Sequence, residues 1–255
     1  MVYYPMNLAH NWWYSPVSEK TRWGTFGPVP ELDSAGNKTG RRTPVGQKYA
    51  IEYLDHLVGK IVQTIDSLGI LNNTVILFTT DNGSPGKGKA HIESENGFRV
   101  PMIIHCPALI SEGKKSMDYV QLADVFPTIA ELAGIELPDS IHFDGVSFKP
   151  VIDGKGGKRD YLYSYLNWKH AFKYNDFYLD GNDSLWRCIR TSEWKLSYIN
   201  VTDSLNDPKV SAALDTINNL KKRHPAPDTT SNPMYERYKR KQKIFHNSIK
   251  SITKK

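Results

Sequence analysis

Apolar residues recur at three- and four-residue steps between Gln47 and Leu68: Ala50, Tyr53, Leu54, Leu57, Ile61, Ile65 and Leu68. That spacing lines one face of a helix, and Gly69 is placed to end it as a C-cap. After a turn at Asn72-Asn73 the texture changes to a β-branched and apolar run, Thr74–Thr80, which predicts a strand buried on both faces. A helix feeding such a strand predicts a parallel sheet in an α/β fold. A second strand-like run, Val100–His105, follows the loop Asp81–Phe98. Tyr119–Leu132 has helical spacing, and Pro127 inside it must either sit near a first turn or divide two short helices. Gly134 supplies its stop.

The two ends of the chain read differently. Val2–Leu8 predicts a strand, followed by His10 and the aromatic cluster Trp12, Trp13 and Tyr14, which could stack on a sugar ring or simply pack. Residues 15–46 are rich in Pro, Gly and polar side chains and predict a long irregular connection. From about residue 159 aromatic and polar residues alternate. Tyr161–Tyr165, Trp186–Thr191 and Trp194–Asn200 predict antiparallel strands of a small sheet. Val210–Lys222 returns to helical spacing, and Pro225–Pro233 reads as a linker.

Composition changes this picture at one end only. Hydrophobic residues make up 39% of the 255 residues, enough for a core. No apolar run approaches the roughly 20 residues that span a bilayer. The net charge of +6 is carried by the tail: residues 221–255 hold 11 Lys/Arg against two acids, whereas the rest is slightly acidic. The body therefore lacks the basic footprint of a nucleic-acid reader. The tail reads as a solvated helix with a frayed end, or as a surface for anionic polymers. Two cysteines, Cys106 and Cys188, are too few for a disulfide framework or a zinc cluster. Cys106 follows an apolar run and is expected to be buried.

The chemistry concentrates between the two predicted strands of the first half. Asp81-Asn82-Gly83 stands at the carboxyl end of a strand, the position that faces the ligand crevice in α/β sheets. A carboxylate beside an amide oxygen offers hard ligands suited to calcium or magnesium, and ordinary turn chemistry explains the same tripeptide. Lys87 and Lys89 follow in a Gly-rich loop. A cation site beside a loop lysine describes a pocket for a tetrahedral anion.

The order of these motifs resembles the type I sulfatase family. The residues that carry the likeness are Leu68-Gly69, Asn73-Thr74, the strand into Asp81-Asn82-Gly83, and Gly88-Lys89. The box Glu95-Asn96-Gly97-Phe98-Arg99-Val100-Pro101 and Pro107 follow. Asp124-Val125-Phe126-Pro127-Thr128, Asp144-Gly145-Val146-Ser147-Phe148 and, upstream, Tyr3–His10 complete a likeness over roughly residues 2–200. It implies an alkaline-phosphatase-like, doubly wound α/β sheet with a small C-terminal antiparallel α+β subdomain. On this reading residues 1–155 are the C-terminal portion of the catalytic domain, 156–222 the subdomain and 223–255 a basic tail. The implied activity is calcium-dependent hydrolysis of sulfate esters, with sulfated glycans as a candidate class. Asp81 and Asn82 would be calcium ligands, Lys89 would contact the sulfate oxygens, and His10 would lie near the leaving-group oxygen. Lys87 and His91 stay open as alternative substrate contacts. Family members are commonly periplasmic, extracellular or lysosomal.

The family's nucleophile is a formylglycine made from a Cys/Ser-x-Pro/Ala-x-Arg motif. Neither Cys106, followed by Pro-Ala-Leu-Ile, nor Cys188, followed by Ile-Arg-Thr-Ser, fits it. The paired aspartates that complete the calcium site have no counterpart either. The chain is therefore expected to be an N-terminally truncated, C-terminal part of such an enzyme, inactive by itself and poorly soluble or oligomeric when isolated, because uncovered strand edges invite pairing. A missing N-terminal half or a further copy of the chain are its expected partners. An inactive remnant that binds sulfated or anionic ligands is the alternative. A phosphate-transferring relative of the superfamily more often has Asp-His where Asp81-Asn82 stands, so Asn82 argues against it.

Overall fold

A computed structural model describes residues 1–6, 28–44, 46–83, 92, 94–166, 169–190 and 196–224. They form two compact units: Met1–Thr79 with Met102–Ser111, and Thr80–Pro101 with Glu112–Lys255.

In the first unit the predicted helix is α1, Gln47–Ser67. Ala50 is its one buried side chain, and Gly69 follows with φ 69°. The stripe at three- and four-residue steps is present but thinly covered: Ile61 and Leu68 are exposed. The segment read as irregular contains a hairpin, β1 (Pro30–Leu32) with β2 (Lys38–Arg42). Its turn is built by Asp33, whose Oδ1 accepts from Ala35 N at 2.9 Å and Asn37 N at 2.8 Å. The amide of Asn37, before any other partner, holds the Asp33 carboxyl below its usual range. Asp33-Ser34-Ala35-Gly36-Asn37 is a legible turn signal, hidden here by short strands of mixed polarity. Met1–Met6 form no strand, contrary to the sequence expectation, because no described strand pairs with them; Asn7 and Leu8 lie outside the described residues.

Strands β3 (Ile76–Thr79) and β4 (Met102–His105) pair with Ile76 opposite His105 and Thr79 opposite Met102. The pair is antiparallel, which corrects the parallel reading of these two strands. A parallel return needs a long crossover, usually a helix, and the described part of Thr80–Pro101 contains only one short 3-10 turn. Neither strand is buried on both faces: every β3 residue is half-buried, and Ile103 is 58% exposed.

The second unit centres on a five-stranded antiparallel meander: β5 (Tyr161–Leu166), β6 (Lys169–Tyr174), β7 (Phe177–Leu179), β8 (Leu185–Arg190) and β9 (Leu196–Asn200). Strands β5, β8 and β9 fall where alternation placed them. Strands β6 and β7 are joined by a turn through Asn175, whose φ of 48° is left-handed, a conformation Asn tolerates better than most residues. One face of the sheet is covered by α4 (Pro208–Arg223). Val210, Ala213, Ile217 and Leu220 of α4 pack on Phe172, Phe177, Leu179, Leu185 and Val201. Asp207 caps the helix, accepting from Lys209 N at 2.8 Å.

Before the meander, a 3-10 turn at Leu122–Asp124 runs into α2 (Val125–Leu132). Pro127 falls in the first turn of α2, where a missing N–H costs no helical bond, and Gly134 follows with φ 68°. Asp124 is buried and accepts from Gln121 N at 2.8 Å, Val146 N at 2.7 Å and the Arg159 guanidinium. Thr128 Oγ1 accepts from Phe148 N at 2.9 Å, just before α3 (Lys149–Ile152). The two motifs at Asp124 and Asp144 are thus one packed structure.

At the edge of the meander Tyr163 stacks on His224 with centroids 4.0 Å apart, His170 Nδ1 lies 3.0 Å from the Tyr163 hydroxyl, and His224 Nε2 lies 2.9 Å from the Tyr161 hydroxyl. Burial, before any nearby charge, lowers both imidazoles below their ordinary 6.5. Lys221 and the second histidine add to the shift at His170, against Asp183; Arg223 and Arg159 add to it at His224, against Asp144. The fold therefore favours the neutral rings. Their stabilising contribution is whole above the ordinary value and is lost as pH falls through the lowered ones. Urea unfolding midpoints are expected to fall on acidification below about pH 6.5, and the double variant His170→Gln/His224→Gln is expected to flatten that slope.

Candidate functional site

The covered face of the meander is only half of its role. Its other face carries Ala171, Tyr178 and Cys188, packed with Ile92, Phe98, Trp186 and Tyr198. Here the sheet receives the segment that precedes and includes the Glu95–Pro101 box. Ile92 O accepts from Gly181 N at 3.1 Å and from the Tyr178 hydroxyl. Glu95, 5% exposed, lies with Oε1 3.0 Å from Lys173 Nζ. Glu95 opens a 3-10 turn, Glu95–Gly97, and its carbonyl accepts from Arg99 N at 2.7 Å.

On this turn rests Asp81-Asn82-Gly83. Gly83 N donates to Gly97 O at 2.9 Å, and a Cβ on Gly83 would stand 2.0 Å from Asn96 O. Only glycine permits that approach. Asp81 is exposed and its Oδ1 accepts from Asn82 N at 2.9 Å; Asn82 is half-buried beside it. A carboxylate and an amide oxygen on one fixed turn fit a hard cation in donor type. They are part of a ligand set only: among the described residues no three His, Cys, Asp or Glu side chains gather to hold a metal.

Of the six site residues named from sequence, the structure places Asp81 and Asn82 together. His10, Lys87, Lys89 and His91 lie outside the described residues, as do Trp12, Trp13, Tyr14 and the chain beyond His224. Sequence reasoning missed the sheet residues beneath the box, above all Lys173. Its one signal was a second lysine in a short strand, Lys169–Tyr174, that also carries His170, Phe172 and Tyr174. The thiols play no part in a disulfide. Both are free and buried, and burial pushes Cys188 up to about 11. No helix among the described residues is long and apolar enough to cross a membrane.

Comparisons with known proteins agree with the motif order. One family model, described as Sulfatase, matches residues 31–135; another, described as N-sulphoglucosamine sulphohydrolase, C-terminal, matches residues 89–223, more than half of the chain. Steryl-sulfatase of Homo sapiens is 32% identical over 160 residues, 55% of this chain and 27% of that protein. Arylsulfatase of Clostridium perfringens is 30% identical over 143 residues, 53% of this chain and 28% of that protein. N-acetylglucosamine-6-O-sulfatase of Bacteroides thetaiotaomicron is 30% identical over 162 residues, 59% of this chain and 28% of that protein. The chain thus spans about a quarter of the length of these relatives. The crystal structure of Ps i-CgsB superposes with a TM-score of 0.53 at 24% identity, over 77% of this chain and 46% of that one. From the box held on its sheet to the extent of these matches, the chain belongs to the type I sulfatase family, with that family's alkaline-phosphatase-like α/β fold and a C-terminal antiparallel sheet.

Proposed function

We propose that this chain is the C-terminal part of a calcium-dependent sulfatase that hydrolyses sulfate esters, with sulfated glycans as the substrate class. The observation that carries the reading is the Asp81-Asn82-Gly83 turn, presented on the Glu95–Gly97 turn by a contact that only glycine allows. The glycan class is supported by the N-acetylglucosamine-6-O-sulfatase among the relatives. In this reading residues 1–155 complete a catalytic domain, 156–222 form its subdomain, and the nucleophile motif comes from outside these 255 residues.

Each residue then has a task. Asp81 and Asn82 supply a carboxylate and an amide oxygen to calcium, which when bound offers positive charge to the sulfate oxygens. Lys89, with Lys87 as the alternative, hydrogen-bonds the sulfate oxygens and stabilises charge that grows on them. His10 holds a proton for the departing alcohol oxygen, and His91 is a second candidate contact to substrate.

The test joins this chain to the protein encoded upstream of Met1 and measures sulfate release from an aryl sulfate and a sulfated oligosaccharide. Release should depend on calcium, fall with a chelator and fall in Asp81→Ala, while phosphate esters are spared. Tight binding of the oligosaccharide without any release would favour the inactive, ligand-binding remnant instead.

A further inference from the structure

Beneath the box, the second unit buries a polar group that packing alone does not explain. Glu95 is 5% exposed, the side chain of Lys173 is 11% exposed, and they meet at 3.0 Å. Cys188 and Tyr198 lie close enough to the pair for the Glu95 charge, after burial itself, to raise both groups. Yet Glu95 Oε1 and the Tyr198 hydroxyl lack a well-directed hydrogen bond, so proximity here is not satisfaction. A carboxylate in such surroundings is costly unless a cation stays beside it. Lys173 is that cation, and it belongs to β6, an interior strand of the meander.

The consequence reaches Asp81 through a short chain of contacts. Glu95 is the first residue of the 3-10 turn; its carbonyl accepts from Phe98 N at 3.2 Å and Arg99 N at 2.7 Å. The last residue of the turn, Gly97, accepts from Gly83 N at 2.9 Å. Side-chain pairing below and main-chain pairing above therefore grip the same three residues. We propose that the Glu95–Lys173 ion pair is a positioning latch, by which the C-terminal sheet fixes the Asp81-Asn82-Gly83 turn. Lys173 is a positioning residue; it acts on the cation ligands through Glu95 and Gly97 without touching them. The latch would tie the C-terminal sheet to a turn built from residues far earlier in the chain. Its bearing on cation binding rests on the calcium reading of Asp81 and Asn82; its bearing on the turn does not.

The test uses the full chain and two readouts: exchange of the Gly83 amide with deuterium, and terbium(III) titration as a stand-in for calcium. Lys173→Met should raise Gly83 exchange by about tenfold, a local opening, while amides of α4 around Ile217 keep their protection. Lys173→Arg should restore Gly83 protection. Terbium affinity should fall with Lys173→Met and recover with Lys173→Arg, Asp81→Ala marking complete loss. Unchanged Gly83 exchange in a folded Lys173→Met overturns the latch. If that variant unfolds globally, the neutral pair Glu95→Gln/Lys173→Met removes the stranded charge. Wild-type Gly83 protection in it also overturns the latch, and fast Gly83 exchange with a protected α4 upholds it. Faster Gly83 exchange with terbium binding indifferent to both Lys173→Met and Asp81→Ala leaves the latch standing and removes the calcium reading.

Discussion

Arg159→Met is expected to destabilise the second unit by about 3–5 kcal/mol, the usual cost of removing one partner of a buried ion pair. The Asp124 side chain is 1% exposed and that of Arg159 8%. The guanidinium holds both carboxylate oxygens, with Nε at 2.9 Å from Oδ2 and Nη2 on Oδ1, a fork that a lysine could not reproduce. The substitution would leave an ionised carboxylate with only the amides of Gln121 and Val146. Those amides cannot move away, because Gly145 approaches so closely that a Cβ there would stand 2.0 Å from Ala123 O. Chemical denaturation read by tryptophan fluorescence measures the loss. Asp124→Asn combined with Arg159→Met should recover a good part of it, since the stranded charge is the larger share of the cost. If the two single changes were additive in the double variant, the pair would be worth little and the packing around Gly145 would carry the structure.

What was legible in the sequence followed from periodicity and from motif order. Ala50 to Ile65 announced α1 because one helical face repeats over many turns, and Tyr161–Tyr165 announced β5 because alternation is sharp there. The antiparallel pairing of β3 with β4 was not legible. A continuous apolar run reads as a buried parallel strand whatever its partner, and the direction of return is set by the connection. The β1–β2 hairpin was missed because Lys38–Arg42 is polar throughout, so no alternation marks it. At the candidate site, Asp81, Asn82 and the box were visible as local strings. Lys173 was not, since its meaning depends on facing Glu95 across the fold, and charge pairing between distant segments leaves no periodic trace. Asp124 stood in a visible motif, but its pairing with Arg159 was hidden in the same way.

Gly83→Ala is expected to break the candidate site more selectively. An added Cβ would stand 2.0 Å from Asn96 O, 3.1 Å from Asn96 C and 3.3 Å from the Gly97 Cα. All three are main-chain atoms of the Glu95–Gly97 turn, so no side chain can swing aside. Either the Asp81-Asn82 turn lifts off, losing the 2.9 Å bond from Gly83 N to Gly97 O, or the box turn is pushed down onto the buried Glu95. Overpacking of this kind costs about 3 kcal/mol. Gly59, inside α1 with nothing within 4 Å of its Cβ position, supplies the opposite sign. Gly59→Ala should stabilise by about 0.5–1 kcal/mol, since alanine is the better helix former. Thermal unfolding of the two variants tests the contrast, and terbium titration tests whether Gly83→Ala also costs cation affinity. A neutral Gly83→Ala would mean that the turn at Asp81 is not held against the box, and the positioning of the cation ligands would then have to come from elsewhere.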